Sequence, residues 1–276
     1  RTIVIAALVA ALAQSTAAVT AAERLAIFDA HVHYSQDAWQ RFDAAAIVAK
    51  LETAGVKGAL VSSTPDAGTL KLRRFAPKLF LAELRPYRIG VGGGNWFRDG
   101  ATPDYLAARL PGAYVGIGEF HLPIEEAAQT PVLARVIALA RQHDVLLHVH
   151  ASEGPVRALI KRAPDLRLLW AHAGFSDPPE VIGEMLESHP RLWAEVSFRA
   201  ADIAPGGRIS PDWEALFKRF PERFLIGSDT YITARWDHYA ELIGDHRNWL
   251  GQLPQALAKA IAHENAERLF VAKGQR

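Results

Sequence analysis

A chain of 276 residues, half of them hydrophobic, can bury a large core and lies in the size range that α/β barrels occupy as one domain. With 31 Lys and Arg against 30 Asp and Glu, no basic block and no interleaving of aromatic and basic residues, the sequence gives nucleic acid no electrostatic support as a partner. The absence of cysteine removes disulfide frameworks and thiolate metal sites, so any metal must sit on histidine and carboxylate.

Taken in chain order, residues 1–22 have the layout of a secretory signal peptide: Arg1, an apolar stretch from Ile3 to Ala13, then small residues before Glu23-Arg24. The expectation is export to the periplasm or the medium, with cleavage after Ala17 and before Leu25. A retained N-terminal helix in a cytoplasmic protein is the alternative. The apolar stretch is too short for a convincing membrane span, and no other segment approaches transmembrane length.

From residue 23 to 276 short apolar or β-branched runs alternate with helical stretches, the pattern of a parallel sheet with crossover helices. Eight runs are predicted, near Leu25 to Val32, Gly58 to Ser63, Leu79 to Pro86, Tyr114 to Phe120, Val145 to His150, Leu166 to Ala171, Leu192 to Phe198 and Arg223 to Gly227. That count predicts a single (β/α)8 TIM barrel, with an open doubly wound sheet as the competing arrangement. Thr102-Pro103, Thr130-Pro131, Asp177-Pro178 and Ser210-Pro211 each place a capping side chain before a proline at a helix start, and Asp177 with Glu180 fits a capping box. Helical periodicity is clearest over Val132 to Gln142, Val156 to Arg162 and Leu253 to Phe270. Arg88 to Pro103 reads as a loop over the barrel mouth, in which Gly92-Gly93-Gly94 is a flexible turn and not a phosphate loop.

Five apolar runs end in metal-type ligands. His31 and His33 are one residue apart on the first strand, so alternation turns both to one face. Gly118-Glu119-Phe-His121, Leu147-His148-Val-His150, Trp170-Ala-His172 and Gly227-Ser-Asp229 follow. Active-site groups of a barrel gather at the C-terminal strand ends, which would bring these residues together. His148 and His150 share a face, and His150 lies nearer the strand end. His121 shares a face with Glu119 and is expected to touch substrate or solvent. Asp29, two residues before His31 on the same face and deeper in the barrel, is expected to be a supporting hydrogen-bond partner and not a ligand. His143, His189, His238, His246 and His263 read as surface residues. Arg85 and Arg199 end strands 3 and 7, where either guanidinium could hold a substrate carboxylate or form a structural ion pair. Trp96, Trp170 and Trp236 are candidate pocket walls, with Trp170 also able to fill a barrel layer.

The HxH of strand 1, one His at each of strands 5 and 6 and an Asp at strand 8 resemble the amidohydrolase superfamily over nearly the whole chain after the leader. Phe28-Asp-Ala-His-Val-His33, Leu225-Ile-Gly-Ser-Asp229-Thr and Asn265-Ala-Glu-Arg-Leu-Phe270 are closest to the amidohydrolase-2 group, which includes hydrolases, lactonases and decarboxylases. Gly116-Ile-Gly-Glu119 adds a strand-4 carboxylate, as in TatD-like deoxyribonucleases. The resemblance implies a divalent metal, Zn2+ before Mn2+ or Fe2+, as one ion or two. In the two-ion form His31, His33 and Asp229 hold one, His150 and His172 the other, and Glu119 bridges; otherwise Glu119 orients a ligand or substrate.

The implied chemistry is hydrolysis of an ester, lactone or amide in a small molecule by metal-activated water. Asp229 would accept and return the proton, and His172 would orient the carbonyl. A decarboxylase of the same group and an inactive exported binding protein are the alternatives. The expected partner is a small-molecule substrate, with no stable membrane insertion, and a homo-oligomer is left open.

Overall fold

The computed structural model describes residues 24–112 and 114–270, so the leader-like segment 1–22 lies outside the described residues. The eight strands are β1 (Ile27–Val32), β2 (Val56–Val61), β3 (Phe80–Leu84), β4 (Tyr114–His121), β5 (Leu146–His150), β6 (Leu168–Trp170), β7 (Leu192–Glu195) and β8 (Phe224–Leu225). Every neighbouring pair is parallel and the order is the sequence order. Ala30 N donates to Ile226 O at 2.7 Å and Asp229 N to His31 O at 2.7 Å, which joins β8 back to β1. The result is the predicted (β/α)8 barrel.

Strands covered on both faces read as continuous apolar runs, and that is how these run. Phe28, Ala30, Leu60, Leu146, Leu169 and Leu225 form a small inner cluster, which Leu269 and Phe270 of the last helix cover. The larger core lies between the strands and the surrounding helices. Among the described residues no helix is long and apolar enough to cross a membrane.

Two of the four predicted helix starts form as expected. Thr130 accepts from Leu133 N and Ser210 from Trp213 N. The helix at Thr102 begins on Thr102 itself, whose hydroxyl donates instead to Asp99. Asp177 caps nothing of its own helix: that helix starts at Pro179, and the Asp177 carboxylate accepts from Glu153 N. The C-terminal segment is helical over Gln255–Lys259, π-helical over Ala260–Glu264 and helical again over Asn265–Phe270. At the wider turn's end Asn265 donates to Pro221 O and Phe224 O, anchoring the segment under β8.

Two strands carry an extra residue next to the candidate ligands. From Asp29 to Val32 β1 advances three positions while β2 advances two, and from Ile117 to Phe120 β4 does the same against β5. Such bulges re-aim side chains. Asp29 lies behind the histidines as a hydrogen-bond partner: its carboxylate accepts from the backbone N of His31 and Ser228 and from the Tyr239 hydroxyl of an outer helix.

The tryptophans are buttresses and not pocket walls. Trp96, Trp170 and Trp236 are fully buried. Their indole N–H groups donate to His121 O, Ala151 O and His33 O, fixing the backbone at three ligand-bearing strand ends. His246 is also buried, against the surface expectation: its Nε2 donates to Gly227 O and its Nδ1 accepts from Trp249. His263 is buried as well, beside Glu267.

Candidate metal centre

The first-strand histidines are fixed from behind. The Nδ1 of His33 lies 2.6 Å from Ser62 O, an acceptor only, so that nitrogen carries the proton and Nε2 offers a lone pair. His31 Nδ1 lies 2.9 Å from the buried carboxylate of Glu195, which sets the same tautomer. Ser197 Oγ donates to Glu195 at 3.0 Å and therefore accepts from His172 Nδ1 at 2.7 Å. Three imidazole Nε2 lone pairs thus face the mouth, the back-side tethering that orients metal-binding histidines.

In front of them the donors converge. His31 Nε2 and His33 Nε2 are 3.0 Å apart, and Asp229 Oδ1 lies 3.5 Å and 3.2 Å from them. Glu119 Oε2 stands 3.6 Å from His31 Nε2 and 3.4 Å from His33 Nε2. A tetrahedron with zinc-type arms has edges of about 3.3–3.6 Å, so these separations suit a cation held at their centre. Two lone pairs facing each other at 3.0 Å, and an Asp229 Oδ1 that is buried without a hydrogen-bond partner, are groups that such a cation would satisfy.

The other oxygen of Glu119 faces a second group. Glu119 Oε1 is 2.7 Å from His150 Nδ1 and 3.9 Å from His172 Nε2, and those two nitrogens are 3.1 Å apart. His121 stacks on His150 with ring centroids 4.1 Å apart, and its Nδ1 accepts from the Tyr87 hydroxyl at 2.7 Å. A Cβ on Gly93 would stand 3.2 Å from the His121 ring, so the glycine turn lies against it. The structure therefore brings together His31, His33, Glu119, His150, His172 and Asp229, with His121 at the edge. His148 is deeper, buried, and tied through Nδ1 to Glu83 at 3.0 Å.

The arginines serve the protein itself. Arg85 Nη2 is 2.8 Å from Glu119 Oε2 and its Nε donates to Glu119 O, so the guanidinium holds the carboxylate that separates the two donor groups. Arg199 is buried and does not offer a fork to the mouth. It donates to His172 O, Ala173 O, Asp177 O and the Asp202 carboxylate. It pins a turn in which His172 and Ala173 have φ of 56° and 46°, a conformation that side chains adopt only when surrounding bonds impose it. Arg235, which the sequence reading passed over, does the same on the other side: it donates to Ser228 O and Asp229 O, and Asp229 has φ 48°.

The electrostatics favour positive charge. Burial alone would raise the Glu119 carboxyl, but His31, His150 and His33 outweigh it and hold Glu119 well below the usual carboxylate range. Asp229 is likewise brought down to about 2, burial being overcome by His31 and His33. Glu195 is also lowered, by His31 and His172 against its burial. At His31 the lowering effect of burial is overcome by Asp229, Glu195 and Glu119, which together pull the imidazole well above its ordinary value, the mark of a site that draws positive charge. Burial lowers His172 to about 4 and keeps it neutral, as a ligand must be.

Glu195 and Glu83 were missed by sequence reasoning. Each sits inside a strand, one position beyond an alanine, with no motif around it. A charged residue inside a doubly covered strand was the available signal. Gly227 belongs with Glu195, because a Cβ there would come within 2.2 Å of the Glu195 carboxylate.

No curated protein matches the sequence. Among solved structures, an amidohydrolase from Burkholderia multivorans is 16% identical with a TM-score of 0.59, over 89% of this chain and 99% of that one. An N-acetyl-D-glucosamine-6-phosphate deacetylase from Mycobacterium smegmatis is 18% identical with a TM-score of 0.60, over 89% and 76%. A TatD-like protein from Archaeoglobus fulgidus is 18% identical with a TM-score of 0.53, over 88% and 98%. At these identities the likeness is one of fold. The family assignment comes from the sequence: the amidohydrolase family model matches residues 28–271, a span that holds the eight strands save Ile27 of β1 and every residue of the candidate metal centre, and the chain is a member of that family, an enzyme of the amidohydrolase type.

Proposed function

We propose that this protein is a metal-dependent hydrolase with a two-ion centre, acting on an ester, lactone or amide bond of a small organic substrate. The observation that carries the reading is Glu119, whose Oε2 faces His31 and His33 at 3.6 Å and 3.4 Å and whose Oε1 faces His150 at 2.7 Å. His31, His33 and Asp229 would hold one ion, His150 and His172 the other, with Glu119 between. Imidazole and carboxylate donors without thiolate favour Zn2+, ahead of Mn2+ or Fe2+. Such a cation, when bound, polarises a carbonyl and brings the pKa of water down to about 7.

The chain's own residues supply the rest. Asp229, ionised at neutral pH, would accept a proton from the attacking water and return it to the leaving group. His172, held neutral and fixed through Nδ1 by Ser197, keeps its Nε2 lone pair for the ion it would share with His150, so it has no N–H to offer the scissile carbonyl. Arg85 holds the plane of Glu119 and balances its charge. Glu195 fixes the His31 ring and, through Ser197, the His172 ring.

The test is a metal count on purified protein and on Glu119→Gln, together with a screen of lactones, carboxylic esters, amides and phosphoesters. Two ions in the parent, one in the variant and turnover of a carboxylic derivative are the expected results. One ion in the parent with release of CO2 from a carboxylate would replace this reading with a decarboxylase.

A further inference from the structure

Large apolar side chains are rarely left in water in a cluster without a reason. Among the described residues seven large hydrophobic side chains are exposed, and Phe175, Phe198, Tyr231 and Ile232 belong to the loops after β6, β7 and β8, beside the metal centre. The three aromatic rings form one surface: Phe175 and Phe198 have centroids 5.9 Å apart, and Phe198 and Tyr231 6.1 Å. That surface reaches the ligands, since Phe175 and Phe198 lie 5.6 Å and 5.5 Å from the His172 ring.

The wall is held in place. Phe175 and Phe198 have φ of 62° and 65°, in the left-handed region that non-glycine residues enter only where neighbouring structure compels it. The Arg235 guanidinium lies 4.1 Å from the Phe198 ring centroid while its N–H groups hold Ser228 O and Asp229 O, so the same arginine supports the wall and the turn bearing Asp229. The facing side, with Arg85, Tyr87 and His121, is polar. A molecule lying in the mouth therefore meets flat apolar rings on one side and hydrogen-bonding groups on the other.

We propose that Phe175, Phe198 and Tyr231 are specificity determinants that receive a flat, unsaturated ring of the substrate next to the bond that is cleaved. This rests on the hydrolase reading above and narrows its substrate class to ring-bearing aromatic or conjugated carboxylic derivatives, as against aliphatic or sugar-like ones. Ring stacking separates a planar ring from a saturated ring of the same carbon count, because only the planar ring presents a π face.

The experiment is calorimetric titration of the metal-loaded protein with phenylacetate and with cyclohexylacetate, repeated on Phe198→Leu and Tyr231→Leu, which keep apolar bulk but lose the ring. Phenylacetate should bind the parent about threefold to tenfold more tightly, the scale of one or two ring contacts, and each variant should bring the two probes to within about twofold. Equal binding by the parent, or a preference that survives both substitutions, overturns the proposal. So does a parent dimer that Tyr231→Leu converts to monomer in sedimentation, since the wall would then belong to a second copy. Turnover separates the two readings. If methyl phenylacetate and methyl cyclohexylacetate are hydrolysed with equal kcat/KM, the wall fails and the hydrolase stands; if binding discriminates but no ester, lactone or amide is cleaved, the wall stands and the hydrolase fails.

Discussion

The two sides of the candidate centre are built differently. On the side of β1 and β8, His31, His33 and Asp229 are buried, and both rings are fastened from behind by acceptors that leave one tautomer. On the side of β4 and β5, the His150 side chain is 30% exposed and turns its polar contacts forward, to Glu119 and His172, with the His121 and Phe175 rings stacked against it. The contrast teaches that convergence of ligands and preorganisation of ligands are separate achievements. The first side has both, the second mainly the former, so the first should hold its ion more tightly and the second should exchange with solvent.

The largest effect expected from this contrast is its asymmetry under ligand deletion. His31→Ala and His33→Ala should each abolish metal binding and turnover in a barrel that stays folded by circular dichroism, whereas His150→Ala should retain one ion by elemental analysis. A His150→Ala protein that loses both ions would show that the two sides form one cooperative site.

Next comes Asp229→Asn, which keeps a coordinating oxygen and removes the proton acceptor. Turnover should fall by at least about a hundredfold with metal binding only moderately weakened. Turnover within a few-fold of the parent would move the proton transfer to Glu119 or His172.

Glu195→Gln sharpens the comparison from behind. It leaves every front-side donor in place but replaces the acceptor that fixes His31, and it should weaken the tighter metal site by about tenfold to a hundredfold in competition with a chelator. An unchanged affinity would mean that burial alone sets the first side's rigidity.

The smallest effect is on stability. Burial holds His246 at about 4 in the folded protein against 6.5 for the ordinary imidazole, with a backbone hydrogen bond to Gly227 opposing the shift. Its Nδ1 accepts from Trp249, so protonation there breaks that bond. The folded state binds fewer protons than the unfolded one between these values, so this contribution is present at neutral pH and is lost as pH falls from 6.5 toward 4. His246→Gln should remove that dependence, worth about 2 kcal/mol near pH 5, and give a shallower loss of Tm between neutral and acid conditions. Equal slopes for variant and parent would show that His246 is not the group responsible.

Most of the frame was legible in the sequence because parallel strands covered on both faces announce themselves as apolar runs. The ligand histidines stood out because each ended such a run. What escaped was set by events that periodicity does not record. The extra residue between Asp29 and Val32 shifts the register of β1 against β2, which simple alternation does not foresee. Asp177 looked like a cap by its place before a proline, yet a neighbouring helix start, Glu153, took its carboxylate. Arg199 follows a strand like a substrate-binding arginine, Arg235 lies in a short helical turn well past β8, and only the folded backbone shows carbonyls waiting for them. His246 looked like an ordinary helix-surface residue because its partners, Gly227 O and Trp249, come from the barrel rim and from its own helix.

The seam of the barrel gives these observations a further meaning. β8 is only two residues long, and the cylinder is completed by Ala30 N to Ile226 O and Asp229 N to His31 O. The bonds that shut the cylinder are thus made by two of the ligands themselves and their near neighbours. A chain that has not yet joined its first and last strands holds His31 and Asp229 nearly two hundred residues apart in sequence and has no assembled cage. Under the proposed centre, cation capture and ring closure would be linked equilibria: an ion held by His31, His33 and Asp229 would act as a clasp, and amide protons along this seam should exchange more slowly in the loaded protein than in the stripped one.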